Sequence, residues 1–359
     1  IENDEGGELR NIDNNGVAIG LEYTYVFDTG ELILNEIPDE DVYRSVLYED
    51  LTNDGKLIVG SLNSTETHAA YLKDGVWKLL PIPADDELFG LAPKFMNTSA
   101  AKLVSGDGSV IFGFLGSFFM PMLWYRNDAG EYEPDFFVSR FLKLLNKDLN
   151  DDSKPLYGLS AHYLSMSNNG KYVAFLGAIY DENENAQYVP VVYDTEEKVA
   201  HLYTEKQEFD FSESGLYPTG IANDGTFIGC VGQPYFGSTG SFIMRPGETQ
   251  AELFIDAFPE YNDLLGMSDN LGFSVPTAIS ADGKKIVGYT YYTDNGDYND
   301  QTTPAYYITY VITDGKDNAV DQVSSAADSE SIYSIDGTAK SALTKGINII
   351  RHADGTVTK

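Results

Sequence analysis

The chain has 359 residues and a formal net charge of −33 at pH 7, from 23 Lys and Arg against 56 Asp and Glu. Such a negative field repels nucleic acid and anionic lipid over a Debye length of about 10 Å, so neither is expected as a partner. The single cysteine, Cys230, excludes an intrachain disulfide and a thiolate metal cage, and no apolar stretch predicts a transmembrane segment.

In chain order, a short apolar segment, an Asn-Gly or Asp-Gly corner and a second apolar segment recur six times. The first copy surrounds Gly16, and the clearest runs from Ala278 to Tyr289. Asn or Asp followed by Gly readily supplies positive φ at the centre of a two-residue turn, so each copy predicts a tight β-hairpin. The corner glycines are Gly16, Gly55, Gly108, Gly170, Gly225 and Gly283.

A third apolar segment follows each hairpin, and usually a second turn and a fourth segment, as in Asp74-Gly75 leading into Trp77. Repeats of this length are typical of propellers and solenoids. Four-stranded sheets arranged radially cover one another's faces. The sequence therefore predicts an all-β fold, a six-bladed β-propeller of four-stranded antiparallel blades with a short C-terminal β-hairpin tail. Residues 319–323 are expected to complete the last blade.

The predicted domain organisation has three parts. Residues 1–7 form an acidic N-terminal extension, residues 8–324 the propeller, and residues 325–359 a linker and β tail. The start at Ile1 suggests a processed or truncated chain. Apolar spacing predicts a short amphipathic helix within 134–150 and a weaker one within 255–265.

The predicted binding surface is the face of the propeller that carries the connections between second and third strands and between blades, because these loops vary most in length. Aromatic side chains beside carboxylates or amides suit a glycan, and Tyr also suits a protein partner. The candidate ligand-binding residues are Phe118, Phe119, Tyr180, Tyr235, Phe236, Tyr291, Tyr292 and Tyr298. Asp294, Asp297 and Asp300 form a candidate calcium site, although the bidentate Glu of an EF-hand is missing. No other cofactor is expected.

Catalytic motifs are not evident. The histidines, His68, His162, His201 and His352, form no H-E-x-x-H or H-x-H pair, and the segment around Ser160 is not a nucleophile elbow. The sequence therefore favours a non-enzymatic protein. The alternative is a polysaccharide-cleaving enzyme that uses carboxylates in the propeller funnel.

The C-terminal pattern, Ser331-Ile332-Tyr333-Ser334-Ile335-Asp336-Gly337 followed by Lys345-Gly346-Ile347-Asn348-Ile349-Ile350-Arg351, resembles the sorting segments of exported Bacteroidetes proteins. The repeats resemble extracellular six-bladed propeller repeats from the same bacteria. These resemblances imply export to the periplasm or outer-membrane surface of a Gram-negative bacterium. The expectation is a monomeric binding or scaffold protein that holds a glycan or a protein at the cell envelope.

Overall fold

The structure is a computed structural model. It describes residues 9–21, 23–84, 98–116, 120–137, 159–180, 186–205, 207–208, 215–232, 240–261, 274–293, 305–313, 331–334, 339–340, 348–351 and 357–358. The chain divides into two compact units, Ile1–Ile312 and Thr313–Lys359.

The first unit contains six antiparallel sheets, each built from consecutive strands. The first three blades have four strands each. Blade 1 consists of β1 (Leu9–Ile12), β2 (Val17–Gly20), β3 (Tyr23–Val26) and β4 (Glu31–Leu34). Blade 2 consists of β5 (Ser45–Leu51), β6 (Leu57–Asn63), β7 (Thr67–Lys73) and β8 (Val76–Leu79). Blade 3 consists of β9 (Ser99–Val104), β10 (Val110–Leu115), β11 (Met120–Arg126) and β12 (Tyr132–Asp135).

The second half of the propeller repeats this plan. Blade 4 consists of β13 (Leu159–Met166), β14 (Tyr172–Tyr180), β15 (Ala186–Asp194) and β16 (Val199–Leu202). Blade 5 consists of β17 (Leu216–Ile221), β18 (Phe227–Val231), β19 (Gly240–Met244) and β20 (Glu252–Leu253). Blade 6 consists of β21 (Ser274–Ile279), β22 (Lys285–Thr293) and β23 (Ala305–Thr313), and its predicted fourth strand lies outside the described residues. The six-bladed propeller predicted from the sequence is confirmed.

The first strand of each blade is the innermost. Along the chain β1 contacts β5, β5 contacts β9, β9 contacts β13, β13 contacts β17 and β17 contacts β21. The other edge of each first strand pairs with the second strand of its own blade. The free edges of the first strands therefore surround the central channel of the propeller.

The corner turns differ from the predicted two-residue form. The glycine has positive φ, as at Gly108 (φ 70°), but the preceding Asp107 does not. The N–H of Gly108 instead donates to the carbonyl of Ser105 at 2.8 Å, and the Asp107 carboxylate accepts the N–H of Ser109 at 2.8 Å. The Asx side chain thus serves as an acceptor in the turn, and only the glycine needs the left-handed conformation. Asp74 and Gly75, both with positive φ, form the type of two-residue turn that was predicted for the corners.

Successive corners are linked by hydrogen bonds between blades. The backbone N–H of Asn14 donates to the carbonyl of Asn53 at 3.0 Å, and Asn53 donates to Gly106 at 3.0 Å. The links from Gly106 to Asn168 and from Asn223 to Ala281 are alike, whereas between blades 4 and 5 the N–H of Asn169 donates to the side chain of Asn223. The corners of blades 1 to 6 are therefore tight turns that are also joined, each to the next, by hydrogen bonds.

Apolar packing between blades forms the core. One cluster joins blades 2, 3 and 4 around Phe112, Trp124 and Tyr193. A second joins blades 4 and 5, a third blades 5 and 6, and a fourth blades 1 and 2. The aromatic side chains of the strands thus pack blade against blade.

Helical structure is scarce. A short helix, α1 (Phe254–Ala257), and a 3-10 turn (Pro259–Tyr261) follow β20, within the weaker of the two helix predictions. Most of the other helix prediction, residues 138–150, lies outside the described residues. No helix in the described part of the chain is long and apolar enough to cross a membrane.

The second unit is described by four short strands, β24 (Ser331–Ser334), β25 (Ala339–Lys340), β26 (Asn348–Arg351) and β27 (Val357–Thr358). They form one sheet in the order β25-β24-β26-β27. The β tail is thus a small sheet, larger than the single hairpin that was predicted.

Candidate functional site: the inner strands

Every first strand carries an irregularity in its pairing with the second strand. In blade 2 the register jumps from Tyr48 to Asp50, which leaves Glu49 without a paired residue on β6. Glu49 is the sixth residue before the corner glycine, Gly55. The residues at the same position in the six blades, named here the inner-strand ring, are Arg10, Glu49, Lys102, Leu164, Thr219 and Thr277.

The inner-strand ring is mostly polar although the strands that carry it are mostly buried. A bulge leaves one residue outside the ladder and redirects its side chain, and bulges are common next to functional sites. Five of the six ring residues carry a charge or a hydroxyl, and Leu164 is the exception. These residues occupy the same position of the repeat on the innermost strands, so their backbones lie at one level around the channel, although Leu164 packs against the apolar core.

Two members of the inner-strand ring make an ion pair between blades. The Lys102 ammonium contacts the Glu49 carboxylate, and it also lies 5.8 Å from the centre of the Phe114 ring. The Glu49 side chain is 6% exposed and that of Lys102 is 33% exposed. A pair this shielded is screened less by salt than a surface pair, and each partner depends on the other for neutralisation.

Asp50, the residue after Glu49, forms hydrogen bonds with residues of three blades. Its carboxylate accepts the backbone N–H of Val104 in blade 3 at 2.7 Å and that of the next residue, Leu51, at 2.8 Å. The side-chain amide of Asn11 in blade 1 also donates to it. Burial raises the pKa of Asp50 to about 6, although these hydrogen bonds oppose the rise. The carboxylate therefore changes charge at mildly acidic pH, directly beside the Glu49–Lys102 pair.

A groove of about 520 Å³ lies between the outer parts of blades 4 and 5. It is formed largely by the tight turns of blade 5 and by the last strand of blade 4, so it is not on the loop-rich face that was predicted to bind ligands. Its acidic side chains and histidine are Asp194, His201, Glu205, Asp224 and Glu248. No lining residue is Lys or Arg. A groove with this lining disfavours an anionic ligand.

The structure describes only part of the predicted ligand site. Phe118, Phe119, Tyr235, Phe236 and Tyr298 lie outside the described residues, as do the calcium candidates Asp294, Asp297 and Asp300. Tyr180 ends β14, and Tyr291 and Tyr292 lie within β22. These three residues were assigned to loops because strand ends are weakly marked in sequence, and the pairing of Tyr180 with Ala186 leaves only 181–185 as the connection. The calcium site, the export route and the sorting role of the tail remain predictions.

The fold defines a six-bladed β-propeller whose first strands carry polar residues at one repeated position. No family model matches the chain, and no curated protein matches it either. Its fold is similar to the β-propeller domain of the trilobed protease from Pyrococcus furiosus, at 10% identity and a TM-score of 0.44 over 86% of this chain and 81% of that one.

Two further solved structures are similar at the same level. For the acylaminoacyl peptidase of Pyrococcus horikoshii the identity is 8% and the TM-score 0.44, over 86% of this chain and 46% of that one. For a puromycin-hydrolysing peptidase of Mycobacterium tuberculosis the values are 14% and 0.44, over 87% and 44%. The chain thus spans less than half the length of these two peptidases. At such identities the likeness concerns the fold alone.

The function predicted from the loops, a non-enzymatic binding or scaffold protein for a glycan or a protein at the cell envelope with a polysaccharide-cleaving enzyme as the alternative, is wrong. The similar propellers belong to proteases and peptidases. The physical reason for the error is that aromatic and acidic residues in loops are a compositional signal. Such residues also occur within strands, as Tyr291 and Tyr292 do.

The inner-strand ring was not predicted, although the sequence carries a signal for it. Each ring residue lies at a fixed distance before a corner glycine, and a charge or hydroxyl recurs there within short strands that are otherwise largely apolar. Glu49 before Gly55 and Lys102 before Gly108 are the clearest cases. Aligning the six repeats on their glycines would have shown this polar position.

Proposed function

We propose that this propeller serves a peptidase by holding an extended segment of polypeptide at its central channel. The peptidase activity of the similar structures belongs to those proteins, and it is extended to this chain only as part of the proposal. Cleavage of the peptide bond is assigned to a separate catalytic domain or protein. The propeller's own share is binding and positioning.

The observation that carries the proposal is the inner-strand ring. An unfolded polypeptide presents unpaired N–H and C=O groups, and moving these groups from water into an apolar passage costs free energy. Arg10, the Glu49–Lys102 pair, and the hydroxyls of Thr219 and Thr277, which donate to carbonyls of their own blades, place polar atoms at one level of the inner strands. Polar groups of both signs suit a peptide backbone, which carries donors and acceptors alternately.

Charge balance also favours a peptide over other polymers. The protein as a whole is strongly acidic, with a net charge of −33, and repels polyanions. At the ring, by contrast, Arg10 and Lys102 accompany Glu49. The ring is therefore less negative than the rest of the molecule, and it can accept a neutral polypeptide without a large electrostatic cost.

Binding of a fluorescently labelled, unstructured peptide of zero net charge, measured by anisotropy at 0.15 M salt, tests the proposal. The variant Glu49→Gln/Lys102→Met alters the ring, and we expect it to weaken binding about tenfold, the effect of losing about 1.4 kcal/mol of contacts. The matched control is Lys78→Met/Glu131→Gln, which removes an exposed ion pair of 3.3 Å between the outer strands of the same two blades. Wild-type protein that does not bind the peptide, or equal losses in both variants, would overturn the proposal.

A further inference from the structure

The junction between blades 6 and 1, named here the 6–1 seam, differs from the other five junctions. Each sheet consists of consecutive strands, so among the described strands none from one end of the propeller completes the blade at the other end. The 6–1 seam therefore depends on side-chain packing and on hydrogen bonds between turns. Both can be compared position by position with the other junctions because the blades are repeats.

One apolar pair recurs at every other junction. It consists of a second-strand residue of one blade, at the position of Val59, and a first-strand residue of the next, at the position of Val104, and both belong to or pack against the same apolar cluster. The cross-strand register confirms that these positions are equivalent: Val59 pairs with Asp50, and Val287 of blade 6 pairs with Ala278 in the same way. The five pairs are Ile19 with Leu51, Val59 with Val104, Phe112 with Met166, Ala174 with Ile221, and Ile228 with Ile279.

The corresponding pair at the 6–1 seam is Val287 with Ile12, and both are uncovered. Val287 is 39% exposed, whereas its five counterparts, Ile19, Val59, Phe112, Ala174 and Ile228, are each 0% exposed. Ile12 is 50% exposed, whereas Leu51, its counterpart in blade 2, is 5% exposed. The second-strand position that every other junction buries is thus open to solvent at the 6–1 seam, and so is the first-strand position, which is buried or half-buried elsewhere.

Further apolar side chains are exposed in the two blades that meet at the 6–1 seam, blade 1 and blade 6. Leu32 and Leu34 of blade 1 lie on the same face as Ile12, since Ile12 pairs with Ala18, Ala18 with Tyr25 and Tyr25 with Leu32. Leu9, which pairs with Gly20, shares this face, and Leu9, Leu32 and Leu34 are all exposed. In blade 6, Val311 is exposed and alternates with Tyr310 and Ile312, which pack toward blade 5. Exposed apolar side chains therefore lie on the outer face of both end blades, although Ala18 and Val275 on the same faces are buried.

The series of hydrogen bonds between corners ends at the 6–1 seam. It begins at Asn14 in blade 1, continues through the corners of blades 2 to 5, and reaches the carbonyl of Ala281 in blade 6. The next link would join the N–H of Ala281 to the carbonyl of Asn14, and the described residues do not make it. The exposed apolar pair and the missing hydrogen bond between corners thus distinguish the 6–1 seam from the other five junctions.

We propose that the ring of blades opens and closes at the 6–1 seam, and that the closed form packs Val287 against Ile12 and bonds Ala281 to Asn14. In the closed form, the exposed apolar side chains of blade 1 cover those of blade 6, and no other partner is required. Burying these side chains stabilises the closed form by an amount comparable to one blade junction, since apolar burial contributes about 25 cal/mol per Å². The inference stands on the repeat geometry and does not depend on the proposed function.

Distance measurements between spin labels test the proposal. Labels at Asn14→Cys/Ala281→Cys span the 6–1 seam, and labels at Asn14→Cys/Asn53→Cys span the bonded junction between blades 1 and 2 as the matched control; the native Cys230 is buried. We expect one short, narrow distance for the control and two populations, short and long, for the seam. A seam distance as short and narrow as the control, or a long distance alone, would show a ring that does not switch.

Two further variants separate closure from folding. Val287→Asp places a charge in the closed seam, so the long-distance population is expected to rise at least threefold, whereas Val199→Asp, at a similarly exposed site of blade 4, leaves it unchanged. An oxidised Ile12→Cys/Val287→Cys pair is expected to leave only the short distance. If instead the long population falls as protein concentration rises, a second copy covers the faces and the proposed closure is wrong.

Discussion

The carboxylate of Asp50 in blade 2 accepts the backbone N–H of Val104 in blade 3 at 2.7 Å, and it is fully enclosed by protein. Burial raises its pKa to about 6 from an ordinary 3.8. A carboxyl whose pKa is higher in the folded state stabilises the fold most below pH 4, and this contribution is lost as the pH rises through 6. The difference between these two pKa values corresponds to about 3 kcal/mol in the free energy of unfolding.

Asp50→Asn is therefore expected to flatten the pH dependence of stability. Between pH 4 and pH 6 the free energy of unfolding of the wild type should fall relative to that of the variant, which urea titrations at several pH values would measure. Asp54→Asn is the control, because hydrogen bonds from Lys56 lower the pKa of the exposed Asp54 to about 2. That contribution is present above pH 4 and is lost only toward pH 2. Parallel curves for wild type and Asp50→Asn would contradict the prediction.

Lys102→Met leaves the buried Glu49 carboxylate without its cation. Removing one partner of a shielded ion pair costs about 3 kcal/mol, whereas replacing both by apolar residues is often neutral. The single variant should unfold at lower urea concentration than the wild type, and Glu49→Leu/Lys102→Met should recover most of the loss. A double variant as unstable as the single one would show that the pair is not coupled.

Gly113 shows where the second strand approaches the first too closely for a side chain. A Cβ at this position would overlap the carbonyl oxygen of Ala100 and the backbone around Ala101. Since backbone cannot move aside as a flexible side chain can, Gly113→Ala should destabilise the fold by at least about 2 kcal/mol. Gly240→Ala, where a Cβ meets nothing within 4 Å, should change the thermal midpoint little. Similar midpoints for the two variants would contradict the close approach.

Ser280 stabilises the corner of blade 6. Its hydroxyl donates to Asp282 at 2.7 Å and accepts the N–H of Lys285 at 2.9 Å. Ser280→Ala should lower the free energy of unfolding by about 1 kcal/mol, the usual net value of such hydrogen bonds. Ser280→Thr should be nearly neutral because Thr52 makes the same contacts in blade 2. Equal losses in the two variants would assign the effect to volume instead of the hydroxyl.

Sequence alone determined the number of blades and the strand order within them. Corners such as Asp282-Gly283 are local signals, because positive φ at glycine and an Asx acceptor need only neighbouring residues. The apolar strands after them, such as Val110–Leu115, must bury both faces, which radial packing of the sheets achieves. The composition, with a net charge of −33, also determined which polymers the protein repels.

Tertiary structure decided the rest. Glu49, Lys102 and Asp50 meet only because separate blades bring their first strands together, and the pairing that leaves Glu49 in a bulge is set between strands. Likewise, Ile12 and Leu51 occupy the same place in their repeats, and only the packing of blades makes one exposed and the other buried. Local sequence specifies turns and strands, whereas contacts between residues distant in the chain depend on how the blades close around the channel.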